Sequence, residues 1–366
     1  MKFYDINPIW DTGAEYMVIY GEKSNGKTYA SLNKALELFF KSGETAEIGI
    51  IRRWKEDLKN ADLFFKNHIQ NGLLEKYSKG KYDDIKYYHH RFYLYKEGKK
   101  AREEPLAYTF ELSLTEHYSS TPFPNIQTII FDEFVTRTQY AGGGDNEFIS
   151  FQILLSNIIR HRENVRVIMC ANTINRFCPY FRNMGLTKVF NQKQGTIDIY
   201  QMGKSGGQVA VEYCGVSAPK GKKSDKYFCF DNPELEMIKN GAWQIPQYPL
   251  LPMKYDKESD ILYIFFCLFE GQTLQCEVIQ RDNNQFVYVH RKTTPIQNED
   301  NLVFSLDFSP LVNRYNFCYP MSRTHALLLD MYKGGKFFYQ SHDIGDVFFN
   351  FYNESQAKLL GKRLTR

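Results

Sequence analysis

The chain has 366 residues, 43% of them hydrophobic and 16% aromatic, which calls for a folded protein of two domains and excludes a disordered or collagen-like chain. A net charge of +4 excludes a uniformly basic coat, so any contact with nucleic acid has to rest on locally concentrated lysines and arginines. Seven cysteines without a CxxC pair argue against a disulfide framework or zinc ribbon and fit a reducing cytoplasm, no secretion signal is read at the N-terminus, and the longest apolar run, at 261–269, is far below the ~20 residues of a membrane span.

In chain order, residues 16–20 read as a strand, GEKSNGKT at 21–28 as a glycine-bearing turn, and 29–40 as a helix carrying Ala30, Leu32, Ala35, Leu36, Leu38 and Phe39. A second strand at 46–51 precedes a helix at 55–71, marked by Leu58, Phe64, Phe65 and Ile69. Strands at 87–95 and 106–114 flank the polar turn KEGKKAREE. Residues 125–131 are apolar almost throughout, as expected of a strand buried on both faces. A helix at 148–160 and another buried strand at 165–171 follow. This repeated strand–helix–strand order predicts a parallel α/β sheet with helices on both sides.

Beyond about residue 195 the composition shifts. Residues 203–207 and SAPKGKKSD at 217–225 suit a connector, a short helix is read at 233–240, and 261–269, 273–279 and 286–290 read as strands of a second domain. The last twenty or so residues look helical and hold Lys358, Lys362, Arg363 and Arg366.

GEKSNGKT, comprising Gly21, Glu22, Lys23, Ser24, Asn25, Gly26, Lys27 and Thr28, fits GxxxxGK[ST] at every defined position and lies between a strand and a helix. In that setting backbone N–H groups surround the phosphates of ATP, Lys27 neutralises the β and γ groups, and Thr28 ligates Mg²⁺. A chance glycine-rich helix cap is the bland alternative. A second motif weighs against it: the apolar strand ending in Asp132 and Glu133 suits a carboxylate for the Mg²⁺ hydration shell and one to polarise water.

Asn172 ends the strand VIMCAN, either as a strand-end cap or as a sensor of the γ-phosphate; the order of the motifs favours the sensor. Arg160, Arg162 and Arg166 in RHRENVR suit either a helix C-terminus or an arginine supplied to a neighbour's nucleotide site. Arg52, Arg53 and Lys55 in IRRWKEDLK follow the second strand on the edge where the phosphate loop opens. They fit a nucleotide, subunit or DNA contact and a solvated basic face equally well. No NKxD-like guanine motif is present, and the adjacent Asp–Glu pair points to hydrolysis coupled to movement.

IRRWK at 51–55, STPFPNIQTIIFDEF at 120–134 and RHRENVRVIMCANTINRFCPYF at 160–181 resemble the DNA-packaging ATPase of phi29-like tailed phages, a compact relative of terminase large subunits. The resemblance spans the first half of the chain. It implies a P-loop NTPase domain of the ASCE/RecA-like kind at 1–195, a connector or lid at 196–245, and an α+β domain at 246–366 similar to a vestigial RNase H-like nuclease. It further implies a ring, usually of five subunits, docked on the portal of a procapsid in the host cytoplasm and absent from the finished virion, driving double-stranded DNA inward. Arg160 corresponds to the arginine supplied in trans, and Arg52 and Lys55 fall where the family couples subunits or senses nucleotide. Other members recognise a structured RNA at the portal, which joins the candidate partners. The strand at 261–269 has no carboxylate, so no nuclease activity is expected.

Contact with duplex phosphates is expected from Lys99, Lys100 and Arg102, from 136–140 ahead of the Gly142–Gly144 triplet, or from Lys220, Lys222 and Lys223. The glycine triplet is the leading pore-loop candidate. The alternatives are another ring-forming ATPase on nucleic acid, of helicase or conjugation type, and a nucleotide-gated assembly protein without turnover.

Overall fold

A computed structural model describes residues 4–22, 25–118, 121–136, 140–141, 144–172, 177–186, 188–203, 206–215, 247–251, 254–256, 259–297, 301–306 and 314–364. The chain divides into two units, Met1–Trp243 and Gln244–Arg366.

The first unit contains α1 (Asn7–Trp10), β1 (Tyr16–Gly21), α2 (Lys27–Lys41), β2 (Glu47–Arg52), α3 (Lys66–Gln70), α4 (Leu73–Ser78), β3 (Asp84–Tyr88), β4 (Arg91–Lys96), β5 (Lys99–Lys100) and β6 (Ala107–Glu111). It continues with β7 (Ile126–Asp132), α5 (Gly144–Ile159), β8 (Arg166–Asn172), α6 (Pro179–Asn183), β9 (Thr196–Met202) and β10 (Gly207–Tyr213). The strands form one sheet in the order β3-β4-β6-β2-β7-β8-β1-β10-β9, with β5 on β4. From β6 to β10 the neighbours are parallel, and the antiparallel hairpins lie at the edges.

Alternation along each central strand sorts the core into two layers. Met17 and Ile19 of β1, Ile130 of β7 and Ile168 of β8 pack with Ala35, Leu36 and Phe39 of α2. The intervening Val18, Tyr20, Phe131 and Met169 pack with Phe151, Leu154 and Ile158 of α5. Strands buried on both faces therefore read as continuous apolar runs, as the sequence led us to expect. The acidic strand β7 and the phosphate-loop strand β1 are separated by β8, the additional-strand arrangement expected of an ASCE-type domain.

Three expectations change. The helix expected at 55–71 is broken into two 3-10 turns, Lys55–Leu58 and Ala61–Leu63, followed by α3. The Asp57 carboxylate accepts from the Trp54 amide, and Asn60 leaves the helical region at φ −111°, ψ 28°. The strand expected at 87–95 is a hairpin, because His89 and His90 both take positive φ and turn β3 back as β4. Residues 196–213, read as the start of a connector, form β9 and β10, and β10 pairs in parallel with β1. Residues 217–225 and the helix read at 233–240 lie outside the described residues.

The second unit holds β11 (Ile261–Phe269), β12 (Gln272–Arg281), β13 (Asn284–Lys292), β14 (Leu302–Ser305), β15 (Arg314–Tyr315), α7 (Arg323–Lys333), β16 (Phe337–Tyr339) and α8 (His342–Leu364). Its sheet runs β15-β14-β11-β12-β13-β16, with β11–β13 an antiparallel meander and β14, β15 and β16 added in parallel. Phe317 centres its core, 5.1 Å from Phe304 and 5.5 Å from Phe348 between ring centroids. The meander and the terminal helix match the sequence reading; β14, β15, α7 and β16 were not foreseen.

Candidate functional site

The ends of β1, β7 and β8 lie side by side: Gly21 is in register with Asn172, and Asp132 with Cys170. Gly26, at φ 97°, turns the chain into the first residue of α2, a conformation that a side chain strains. Gly21 is constrained by space as well, since a Cβ there would lie 3.0 Å from Cβ of Cys214.

Lys27 is buried, and its Nζ donates to Glu22 O at 2.6 Å, Asn25 Oδ1 at 3.2 Å, Asn172 Oδ1 at 3.3 Å and Gly21 O at 3.4 Å. Each of these partners is a neutral oxygen. Burial lowers the Lys27 pKa for want of solvation. A desolvated ammonium at a helix N-terminus, hydrogen-bonded to neutral oxygens, is the electrostatic complement of a phosphate. Lys23 and Ser24 lie outside the described residues.

Thr28 Oγ1 donates to Asp132 Oδ1 at 2.7 Å, bringing a hydroxyl and a carboxylate together as hard oxygen donors of the type that suits Mg²⁺. Burial raises the Asp132 pKa, against the opposing pull of Arg52 and the hydrogen bond from Thr28. Arg52 Nη1 donates to Asp132 Oδ2 at 2.7 Å, and its Nη2 lies 3.4 Å from Glu133 Oε2. Of the even choice left by the sequence, Arg52 therefore takes the site rather than a solvated face. Glu133 itself has an exposed carboxylate and a left-handed backbone, φ 59°.

Arg53 does not join the nucleotide-facing group expected of it. It is buried, and its Nε donates to Glu147 Oε2 at 2.8 Å and Oε1 at 3.0 Å. Its remaining nitrogens donate to the carbonyls of Glu133 at 3.1 Å and Phe134 at 2.7 Å. β2 ends at Arg52 and the chain bends at Arg53, so the two side chains part, Arg52 to the carboxylates and Arg53 to the main chain behind them. Lys55 is exposed in its 3-10 turn, with no described contact to the site residues. Glu147 and Tyr180, whose hydroxyl donates to Glu147 at 2.9 Å, were missed by the sequence reading. A lone Glu in a helix's first turn reads as an ordinary dipole partner.

The three arginines of RHRENVR separate by environment. Arg162 donates to the carbonyls of Phe123, Pro124, Ile126 and Ile158, and Arg166 donates to Trp10 O and lies 4.4 Å over the Trp10 ring. Arg160 is exposed, and its Nε donates to Asn157 O at 3.4 Å. The group lies at the start of β7, roughly 20 Å from Asp132 at the other end of the strand.

Among the expected DNA contacts, Arg102 is bound to Glu44 O and Pro105 O, and Lys100 is paired with Glu103. Lys99 is exposed, whereas Tyr140 is buried beneath Arg53. Residues 137–139 and 142–143, and Lys220, Lys222 and Lys223, lie outside the described residues. No helix among the described residues is long and apolar enough to cross a membrane.

A family model described as the Podovirus DNA encapsidation protein (Gp16) matches residues 2–202. The DNA packaging proteins of Bacillus phages PZA and phi29 are each 28% identical over 181 residues, 49% of this chain and 49% of theirs. The matched stretch thus spans about half the length of these relatives. Two solved structures share the fold. "The Phi-28 gp11 DNA packaging Motor" superposes with a TM-score of 0.56 at 16% identity, over 98% of this chain and 97% of that one. "The bacteriophage Phi-29 viral genome packaging motor assembly" gives 0.58 at 19% identity, over 97% and 100%.

Proposed function

The chain belongs to the podovirus DNA encapsidation protein (Gp16) family, and from that membership we propose that it is an ATP-hydrolysing motor that moves double-stranded viral DNA into a procapsid through its portal. The observation that carries the reading is the convergence of Lys27, Thr28, Asp132, Glu133 and Asn172 at adjoining strand ends. Lys27 holds the phosphates, Asn172 reads the terminal one by donating its amide N–H while its oxygen stays with Lys27, and Glu133 orients water and accepts its proton. Thr28 and Asp132 would hold Mg²⁺, which when bound neutralises charge on the transferring phosphate.

Arg160 acts in trans. Its exposure at the edge remote from its own Asp132 supports this role, as does its backbone: φ is 53° where a helix end ordinarily takes glycine. Ile149 and Ile153, exposed on the same helix, extend one stripe toward it and supply an apolar contact for a neighbouring copy. The assembly is a ring, of five subunits by family likeness, docked on the procapsid portal in the host cytoplasm, with a structured RNA as a further partner.

The second unit is a vestigial RNase H-like domain spanning 246–366, and 1–195 with its following strands is the motor. A central meander extended by parallel strands supports that reading, and β11 offers no carboxylate for a two-metal nuclease. The deciding experiment is DNA-stimulated ATP hydrolysis together with translocation on duplex DNA. Stimulated turnover in the wild type that vanishes in Glu133→Gln, without strand separation, is the expected result. Unwinding would favour a helicase, and absence of turnover would favour a nucleotide-gated assembly protein.

A further inference from the structure

Arg53 and Glu147 form a buried ion pair on the far side of the main chain from the phosphate loop, and no step of the proposed hydrolysis uses either residue. Glu147 has no exposed surface and Arg53 only 6%. A paired charge this deeply buried carries a desolvation penalty that its mutual attraction only offsets with good geometry and further hydrogen bonds. Here the main-chain bonds all lead to one segment. Arg53 donates to the carbonyls of Glu133 and Phe134, and Glu147 accepts from the Ala141 amide. Tyr180 donates to Glu147 from α6 and is ringed by Phe131, Phe134, Phe148 and Phe151. Arg53 also lies 5.1 Å over the ring of Tyr140. The pair closes the stretch from Glu133 to Ala141 at both ends.

Glu133 is thus gripped twice by consecutive residues, its carboxylate by Arg52 and its carbonyl by Arg53. Its left-handed backbone, φ 59°, strains a glutamate and persists only where the surroundings impose it. We propose that Arg53 and Glu147 are a positioning pair for hydrolysis, which fixes the main chain at Glu133 so that its carboxylate is aimed while both residues stay clear of the nucleotide. This rests on the ATPase reading above. It also makes Tyr140, expected among the DNA contacts, and Ala141 a fixed stem, both being buried against the pair.

The test compares the wild type with Glu147→Gln, which keeps the shape and one of the two oxygens, so it can still accept from Tyr180 or from Ala141. A second variant, Arg53→Met with Glu147→Gln, leaves no orphan charge behind. In each, kcat for ATP should fall about ten- to a hundredfold while KM stays within about threefold, since misaiming a catalytic group by about 1 Å has costs of that order. Arg53→Lys should recover part of the loss, because a lysine keeps the charge but not the fork. In the double variant the Ala141 amide should exchange with solvent at least about tenfold faster. A folded variant with wild-type kcat, a loss lying wholly in KM, or an Ala141 amide unprotected in the wild type would overturn the pair's role. Absence of turnover in the wild type would instead overturn the ATPase reading.

Discussion

Arg52 and Asp132 meet across the ends of β2 and β7, Nη1 donating to Oδ2 at 2.7 Å, so the carboxylate that Thr28 also contacts already carries a cationic partner. On the proposed reading, the same carboxylate must serve Mg²⁺, and the guanidinium competes with the metal for it. Arg52→Ala should therefore lower the Mg²⁺ concentration needed for nucleotide binding, by about tenfold for one charge-assisted hydrogen bond. Because Arg52 also contacts Glu133, turnover should fall at saturating Mg²⁺. Titrations of a fluorescent ATP analogue and of phosphate release against Mg²⁺ measure both effects, and a variant needing more Mg²⁺ would refute the competition.

Binding and chemistry should separate cleanly between Lys27 and Glu133. Lys27 is buried among neutral oxygens and waits for an anion, so Lys27→Ala should weaken nucleotide binding by about 1.5–3 kcal/mol. Glu133 has an exposed carboxylate and no part in the phosphate cradle. Glu133→Gln should bind ATP within about threefold of wild type and lose roughly 10²–10⁴ in turnover. Equilibrium binding alongside single-turnover hydrolysis checks both, and a Glu133→Gln variant that cannot bind would reassign that residue.

The phosphate loop, the acidic strand and the Asn172 strand were legible because each is a local pattern whose flanking elements are enforced by burial on both faces. Arg52 and Arg53 show where that legibility stops. Side by side in the sequence they look alike, and only the end of β2 at Arg52, with the bend that follows it, sends one to Asp132 and the other to Glu147. Glu147 carried no signal because its partner lies 94 residues away. The turn at His89 and His90 was hidden for a related reason: neither is a glycine or asparagine, yet both hold positive φ under the pull of the strand pairing around them.

In the second unit, Glu277 should make stability fall in acid. Burial alone would raise its pKa, but hydrogen bonds from His290, Tyr255 and Gln275 overcome this and hold it at about 2. The folded pKa lies below the unfolded one, so the contribution is complete above the usual glutamate range and is lost as pH falls through about 2. Chemical denaturation of the full chain between the usual glutamate range and that limit should show the wild type losing stability steadily. Glu277→Gln should start less stable and respond less to pH; an equal slope in both would show that Glu277 is not the group responsible.

Arg160 offers a test in which stability and activity move in opposite directions. Its φ of 53° strains an arginine at the end of α5, and glycine takes that conformation freely, so Arg160→Gly should stabilise the fold by about 1 kcal/mol. If Arg160 serves a neighbour's nucleotide, the same substitution should abolish ring-dependent hydrolysis while ATP binding by the single subunit stays unchanged. Mixing Arg160→Gly with Lys27→Ala subunits should then restore part of the turnover, because an intact Lys27 site can borrow Arg160 from the other subunit. Ile149→Glu with Ile153→Glu, on the same stripe, should remove that recovery by separating the copies, read by sedimentation. A more stable Arg160→Gly chain with wild-type turnover in the ring would remove Arg160 from the mechanism, and recovery at no mixing ratio despite assembly would rule out a site shared between subunits.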